Sequence, residues 1–148
     1  MSGGDVIGQE ELREHSSVEV HTVGFREFTP SVDCVAEVRG FVKETLDGAG
    51  VEEDVVFECQ LVADELAANA VRHAGSIFSV AVELTEGFVR IAVRDESSER
   101  PVQQFSAPEA QGGRGLVIVS GTASGWGTVP LGRGKEIWAD VVRGADAD

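Results

Sequence analysis

The spacing of apolar residues along the chain changes period several times, and each change marks an element. From Val18 to Phe28, β-branched and aromatic residues alternate in part with polar ones, and Thr29-Pro30 closes the run, which predicts a strand. The spacing then becomes helical. Val32, Val35, Val38, Phe41, Val42 and Leu46 recur three and four apart, with Ser31 placed to cap the segment and Gly48 and Gly50 to end it. A second helix is predicted from near Val51, with Glu52, Glu53 and Asp54 suited to the positive end of its dipole. Its apolar stripe is Val55, Cys59, Val62, Leu66 and Ala70, and Gly75 stops it.

A period of two returns in Ile77–Leu84 and Phe88–Asp95, with Glu86-Gly87 as the turn between two strands. Glu96–Gly112 is polar and contains Pro101 and Pro108, which predicts a loop long enough to be functional or disordered. Gly113–Ser124 reads as a short apolar helix. Trp126–Leu131 and Lys135–Val142 read as a closing hairpin joined through Gly132-Arg133-Gly134. Residues 1–17 and 144–148 are small, charged and aperiodic, and read as flexible tails on one domain spanning 18–143. The order β-α-α-β-β-loop-α-β-β implies an α+β fold: a two-layer sandwich with a mixed, mostly antiparallel sheet and helices packed on one face.

Composition and charge narrow the function. The 148 residues suit a single domain, and 42% hydrophobic with 26% charged residues fits an ordinary globular interior. A net charge of −14 argues against direct nucleic-acid binding, which needs a basic face. It leaves phosphate ligands open, because a phosphate site needs only local donors. It also suits a protein partner that offers a basic patch. The polar N-terminal stretch does not read as a signal peptide, and no apolar run approaches the ~18 residues a membrane helix needs, so the expected location is cytoplasmic. Cys34 and Cys59 fall near the apolar faces of the two helices and read as small buried hydrophobes of a reducing compartment.

Three constellations carry candidate chemistry. Glu65 and Asn69 stand four apart, about 40° from one another on a helical wheel, and flank the apolar stripe. A carboxamide oxygen there can ligate a hard cation such as Mg²⁺, and the carboxylate can take a proton beside it. The plainer reading is an ordinary polar edge of a helix. Asp95 ends an alternating strand, where it can accept a hydrogen bond from an exocyclic amine or simply begin a turn. Gly112-Gly113-Arg114-Gly115-Leu116 opens the apolar segment after the long loop. It suits a phosphate cradle of free N–H groups, with Arg114 as a charge-assisted donor, or a plain loop end. Gly132-Arg133-Gly134-Lys135 fails as a Walker A loop, since Val129 and Glu136 replace the required glycine and hydroxyl. The Gly113 region fails as a dinucleotide fingerprint, having no preceding strand and Ile118 in place of the third glycine. The three histidines have no metal-ligand spacing.

Taken in order, these segments resemble the histidine-kinase-like ATPases of the Bergerat fold, most of all the small anti-sigma-factor serine/threonine kinases and their actinobacterial relatives. The resemblance covers roughly Val20 to Val142. Glu65-Leu66-Ala67-Ala68-Asn69-Ala70-Val71-Arg72-His73-Ala74 resembles the family's N box, and Asp95 the aspartate of its first glycine box. Gly113-Arg114-Gly115-Leu116 resembles the second glycine box, and Gly134-Lys135-Glu136-Ile137-Trp138 the closing strand. The resemblance implies ATP and Mg²⁺ as cofactors. It makes Asn69 the Mg²⁺ ligand, Glu65 the general base, Asp95 the reader of the adenine amine and Glu96–Gly112 the lid. Ser97, Gly113, Arg114, Gly115, Leu116 and Arg72 would be further nucleotide contacts. The family's Asp-x-Gly-x-Gly reads Asp95-Glu96-Ser97-Ser98-Glu99 here, and Lys135-Glu136 stands where a threonine is common.

The resemblance implies an ATP-dependent protein serine/threonine kinase that phosphorylates or sequesters a regulatory protein. Its partner would be an anti-sigma-factor antagonist, with a sigma factor as the regulated target. Homodimers are compatible with it, since the edge of the Val20–Phe28 strand could be exposed. The alternative is a non-catalytic binding module that sequesters a partner, with nucleotide structural or absent; the altered glycine box favours it, and the intact Glu65/Asn69 pair opposes it.

Overall fold

The computed structural model describes residues 19–73, 75–96 and 123–144. The elements are β1 (His21–Phe28), α1 (Cys34–Gly48), α2 (Glu53–His73), β2 (Phe78–Leu84), β3 (Phe88–Asp95), β4 (Gly125–Pro130) and β5 (Lys135–Val142). The strands form one sheet in the order β1-β2-β3-β5-β4, and every neighbouring pair is antiparallel. The expected α+β sandwich is therefore present, with a purely antiparallel sheet among the described residues rather than a mixed one. The long loop and the short apolar helix expected between Glu96 and Ser124 lie almost wholly outside the described residues. Of the expected helix only Ala123 and Ser124 are described, and they lead into β4 without helical structure.

Both helices cover one face of the sheet, α1 against β1 and β2, α2 against β3 and β5. The core lies between. Val38, Val42 and Leu46 of α1 and Val55, Cys59, Val62, Leu66 and Ala70 of α2 meet Val80, Val82, Val89, Ile91, Val93, Ile137, Ala139 and Val141 of the sheet, all buried. The strand residues alternate because successive side chains point to opposite faces. On the uncovered face, Arg90 forks onto Asp140 at 2.6 and 2.9 Å and lies 4.2 Å from the Trp138 ring centre, while Arg94 meets Glu136 at 2.6 Å.

The first helix begins later than its periodicity suggests. Asp33, not Ser31, occupies the N-cap position and makes no side-chain capping bond, and the turn at Ser31 is closed by the Cys34 N–H on the Ser31 carbonyl. Val32 is consequently outside the helix and 96% exposed, although its spacing fits the stripe. Where the sequence places the remaining boundaries, the structure agrees within two or three residues. Gly50 and Gly75 take positive φ (78° and 67°) after the two helices, the backbone that favours glycine. At Gly24 the reason for glycine is space, since a Cβ would stand 2.8 Å from the Thr45 methyl of α1. That close approach seats β1 against α1.

Both thiols are buried. Burial, assisted by the charge of Glu58, pushes the Cys59 thiol up to about 12, so it serves as an inert core side chain.

Candidate functional site

The site is assembled from the last turns of α2 and from one end of the sheet. Leu66, Ala67 and Ala70 are buried, which fixes the helix rotation and turns the intervening polar positions toward the rim of the core. Asn69 is carried in with them and is only 4% exposed. Glu65, one turn earlier, is half-buried, and Arg72 is exposed. A buried carboxamide in an apolar stripe is costly unless it has partners, and a half-buried carboxylate above it keeps access to solvent. Together they offer a neutral oxygen ligand and a proton acceptor on one face, the donor chemistry that a hard cation and a hydroxyl nucleophile require.

On its outer side the same helix is tied to α1. Asp64 receives a fork from Arg39, with contacts of 3.1, 3.1 and 2.7 Å, and this hydrogen bonding raises the Arg39 guanidinium above its ordinary value.

The second wall is the Asp95 end of the sheet. Asp95 continues the buried alternation of Ile91 and Val93 and is itself 5% exposed. Its register partner on β5 is Lys135, 4% exposed, whose ammonium donates to both carboxylate oxygens at 2.9 and 3.0 Å. Two full charges are thus buried as a bidentate pair, and removing one partner of such a pair typically costs about 3–5 kcal/mol. The preceding Gly134 sets this approach. Its φ is +86°, and a Cβ there would collide with the Asp95 carbonyl and stand 2.5 Å from Glu96 Cα. Only glycine lets the β4–β5 turn close over the end of β3 at this distance.

This buried pair at the candidate site is the feature that sequence reasoning misses. Read from the sequence, Lys135 is only a replacement for a threonine. The signal is present in the chain: two eight-residue strands, one ending in Asp95 and the other beginning with Lys135, oppose those residues once paired antiparallel. It needs the knowledge that β3 pairs with β5 across the inserted β4.

Of the residues expected at the site, Glu65, Asn69, Arg72 and Asp95 are described and belong to α2 and to β3, which pack together. Ser97, Gly113, Arg114, Gly115 and Leu116 lie outside the described residues. A cleft of about 540 Å³ opens at the Asp95 end, lined among others by Ser76, Ile77, Phe78, Asp95, Glu96 and Leu131. Glu65 and Asn69 do not line it. A second cleft, of about 550 Å³, lies at the opposite end of the sheet around Leu84, Thr85, Gly87 and Arg143, away from all of these residues.

A family model described as a histidine kinase-like ATPase domain matches residues 28–126, which span α1, α2, β2, β3 and the start of β4. No curated protein matches the sequence. Among solved structures, a chain of the SiaB–SiaC complex from Pseudomonas aeruginosa is similar with a TM-score of 0.57 at 11% identity, over 92% of this chain and 96% of that one. At that identity the likeness speaks for the fold. No helix among the described residues is long and apolar enough to cross a membrane.

Proposed function

The chain belongs to the histidine kinase-like ATPase family, and from that premise we propose that it binds Mg-ATP and acts as an anti-sigma-factor-like protein serine/threonine kinase on a regulatory protein partner. The observation that carries the proposal is the buried Asn69 with half-buried Glu65 one turn before it, on the helix that packs against the strand ending in Asp95. These residues fit the implied group. Asn69 would hold Mg²⁺ through its amide oxygen, and Asp95 would accept a hydrogen bond from the base. Bound Mg-ATP supplies a transferable phosphoryl group and the charge that neutralises it.

The chain's own part is positioning and proton transfer. Glu65 orients a partner's serine or threonine hydroxyl and accepts its proton, a contribution worth about 10²–10⁴-fold in rate. The net charge of −14 suits a partner that presents a basic surface. The solved neighbour belongs to a two-protein complex, SiaB with SiaC, which supports a role exercised through a partner. The partner would be a small antagonist of the anti-sigma-factor type, with a sigma factor as the regulated target.

A second reading, a non-catalytic module that sequesters its partner, draws support from Lys135, which already engages the carboxylate that would read the base. Thermal unfolding of the full chain with and without Mg-ATP separates the readings. Nucleotide at about 100-fold its Kd should add about 2.7 kcal/mol of stability. Glu65→Gln should keep that stabilisation and lose phosphotransfer by about 10²-fold or more. Absence of any shift at millimolar Mg-ATP sinks the first reading, and a shift without transfer to any partner favours the second.

A further inference from the structure

We propose that the outer face of the α1–α2 pair is a docking surface for a basic amphipathic helix of a partner protein. One face of this helix layer covers the sheet, and the other is exposed. Two residues on the exposed face have no explanation within the fold. Gly40 lies in the interior of α1, on the side opposite the buried Val38, Val42 and Leu46, and a Cβ on it would meet nothing within 4 Å. Glycine weakens a helix there relative to alanine, and no positive φ or close approach accounts for it. Phe57 of α2 is 60% exposed, and the half-buried Leu61 and Ala68 continue its stripe along the same side.

The two features are neighbours. Gln60, between Phe57 and Leu61, donates from Nε2 to the carbonyl of Arg39 at 3.3 Å, which sets Gly40 beside that turn of α2. A missing side chain on one helix next to an aromatic on the other makes a hollow and an anchor. That combination lets the backbone of a third helix approach closely and bury an apolar stripe between the two.

Charge selects the occupant. Arg39 and Lys43 on this face are already neutralised by Asp64 and Asp47, at 2.7 Å each. Glu37 and Glu44 along one margin, and Asp54 and Glu58 along the other, make no ion pair among the described residues. An apolar stripe flanked on both sides by lysine or arginine is the complement. The same charges disfavour the other occupants: a second copy brings a further −14, and residues 1–18 hold four acids against one arginine. Glu65 follows Glu58 along the same margin, so a helix docked here runs beside the candidate base. The surface specifies the partner of the proposed function without depending on nucleotide or phosphotransfer.

The test is fluorescence anisotropy of full-length protein, without nucleotide, against a labelled model helix of about 18 residues, five turns, with leucine and alanine on one side and lysine on the other. Two controls accompany it: a peptide of the same composition with its apolar residues scattered, and one with glutamate for lysine. Wild type should bind the amphipathic lysine peptide at least about tenfold more tightly than the scattered one, and the glutamate peptide not at all. Gly40→Gln and Phe57→Ser should each weaken binding by about tenfold or more. Gly40→Gln should at the same time raise Tm, since glutamine is the better helix former, so the lost affinity is not lost folding. Phe25→Ser, which removes an equally exposed phenylalanine from the sheet, should leave binding unchanged.

No saturable binding of the lysine peptide overturns the proposal and leaves the proposed phosphotransfer untouched. Equal binding of the scattered peptide overturns it too, because charge alone would then suffice. So does affinity indifferent to Gly40→Gln and Phe57→Ser, or lowered equally by Phe25→Ser. A wild-type dimer in light scattering that Gly40→Gln dissociates gives the face to a second copy and overturns the basic partner.

Discussion

The two walls of the candidate site are buried to the same degree but by different means. On α2 the buried polar residue is Asn69, a neutral amide carried inward among Leu66, Ala67 and Ala70. At the end of β3 and β5 the buried residues are Asp95 and Lys135, full charges that neutralise one another. A neutral amide can be replaced singly at modest cost, because the penalty is that of hydrogen bonds. A charge cannot, because its partner is left behind in a medium that solvates it poorly. The helix wall is therefore tolerant of single changes in stability and demanding in chemistry, while the sheet wall is demanding in both.

The largest expected effect tests that difference directly. Lys135→Ala should cost about 3–5 kcal/mol of stability in urea unfolding, because Asp95 remains as a buried carboxylate without its counter-charge. Asp95→Asn/Lys135→Met, which removes both charges at similar volume, should return to within about 1–2 kcal/mol of wild type. If the single variant loses no more than a surface pair would, the sheet wall is not a buried ion pair and the contrast between the walls collapses.

Next in size is Gly134→Ala. A left-handed backbone costs an L-residue about 1–2 kcal/mol, and the collision with the Asp95 carbonyl adds to that. Gly132→Ala in the same turn is the control, since a Cβ there meets nothing within 4 Å and its φ lies outside the left-handed region. Equal losses from the two variants would mean that the turn, and not its approach to Asp95, is what glycine serves. On the helix wall, Asn69→Ala should stay within about 1 kcal/mol of wild type, because it removes a neutral group and alanine has the higher helix propensity. It should nevertheless remove the Mg²⁺-dependent part of any stabilisation by ATP, read by repeating the thermal shift with and without the metal.

The same contrast accounts for what is legible in the sequence. Residues whose environment is set by local periodicity can be read from it. The stripe Val55, Cys59, Val62, Leu66 and Ala70 is buried as its spacing requires, and Asn69, which flanks it, follows into the core rim. The strands β2, β3 and β5 are legible from alternation and from the turn at Glu86-Gly87. Val32 is not, because a helical spacing does not say where the chain begins to turn, and the backbone bond from Cys34 to Ser31 delays that start. Lys135 is not either. Its partner is 40 residues away and on a strand reached only after β4, so the pairing belongs to topology rather than to local pattern. The polar site residues on one helix are thus visible, and the pair made by two strands is not.

The smallest expected effect bears on the outer side of α2. Arg39 and Asp64 make three contacts of 2.7–3.1 Å, better geometry than most exposed pairs, and Asp64 is the residue immediately before Glu65. Geometry alone would make this fork as important as the Lys135 pair. Exposure decides otherwise: the Arg39 side chain is 52% exposed against 5% for Lys135. Water and salt screen the first pair and its desolvation is slight, so Arg39→Met, which keeps the aliphatic packing, should cost only about 0.2–1 kcal/mol. The loss should shrink as ionic strength rises from about 0.01 M toward about 1 M, whereas that of Lys135→Ala should barely change. A loss of several kcal/mol at Arg39, insensitive to salt, would show that the strength of these pairs follows their geometry, and burial would no longer explain why the two walls differ.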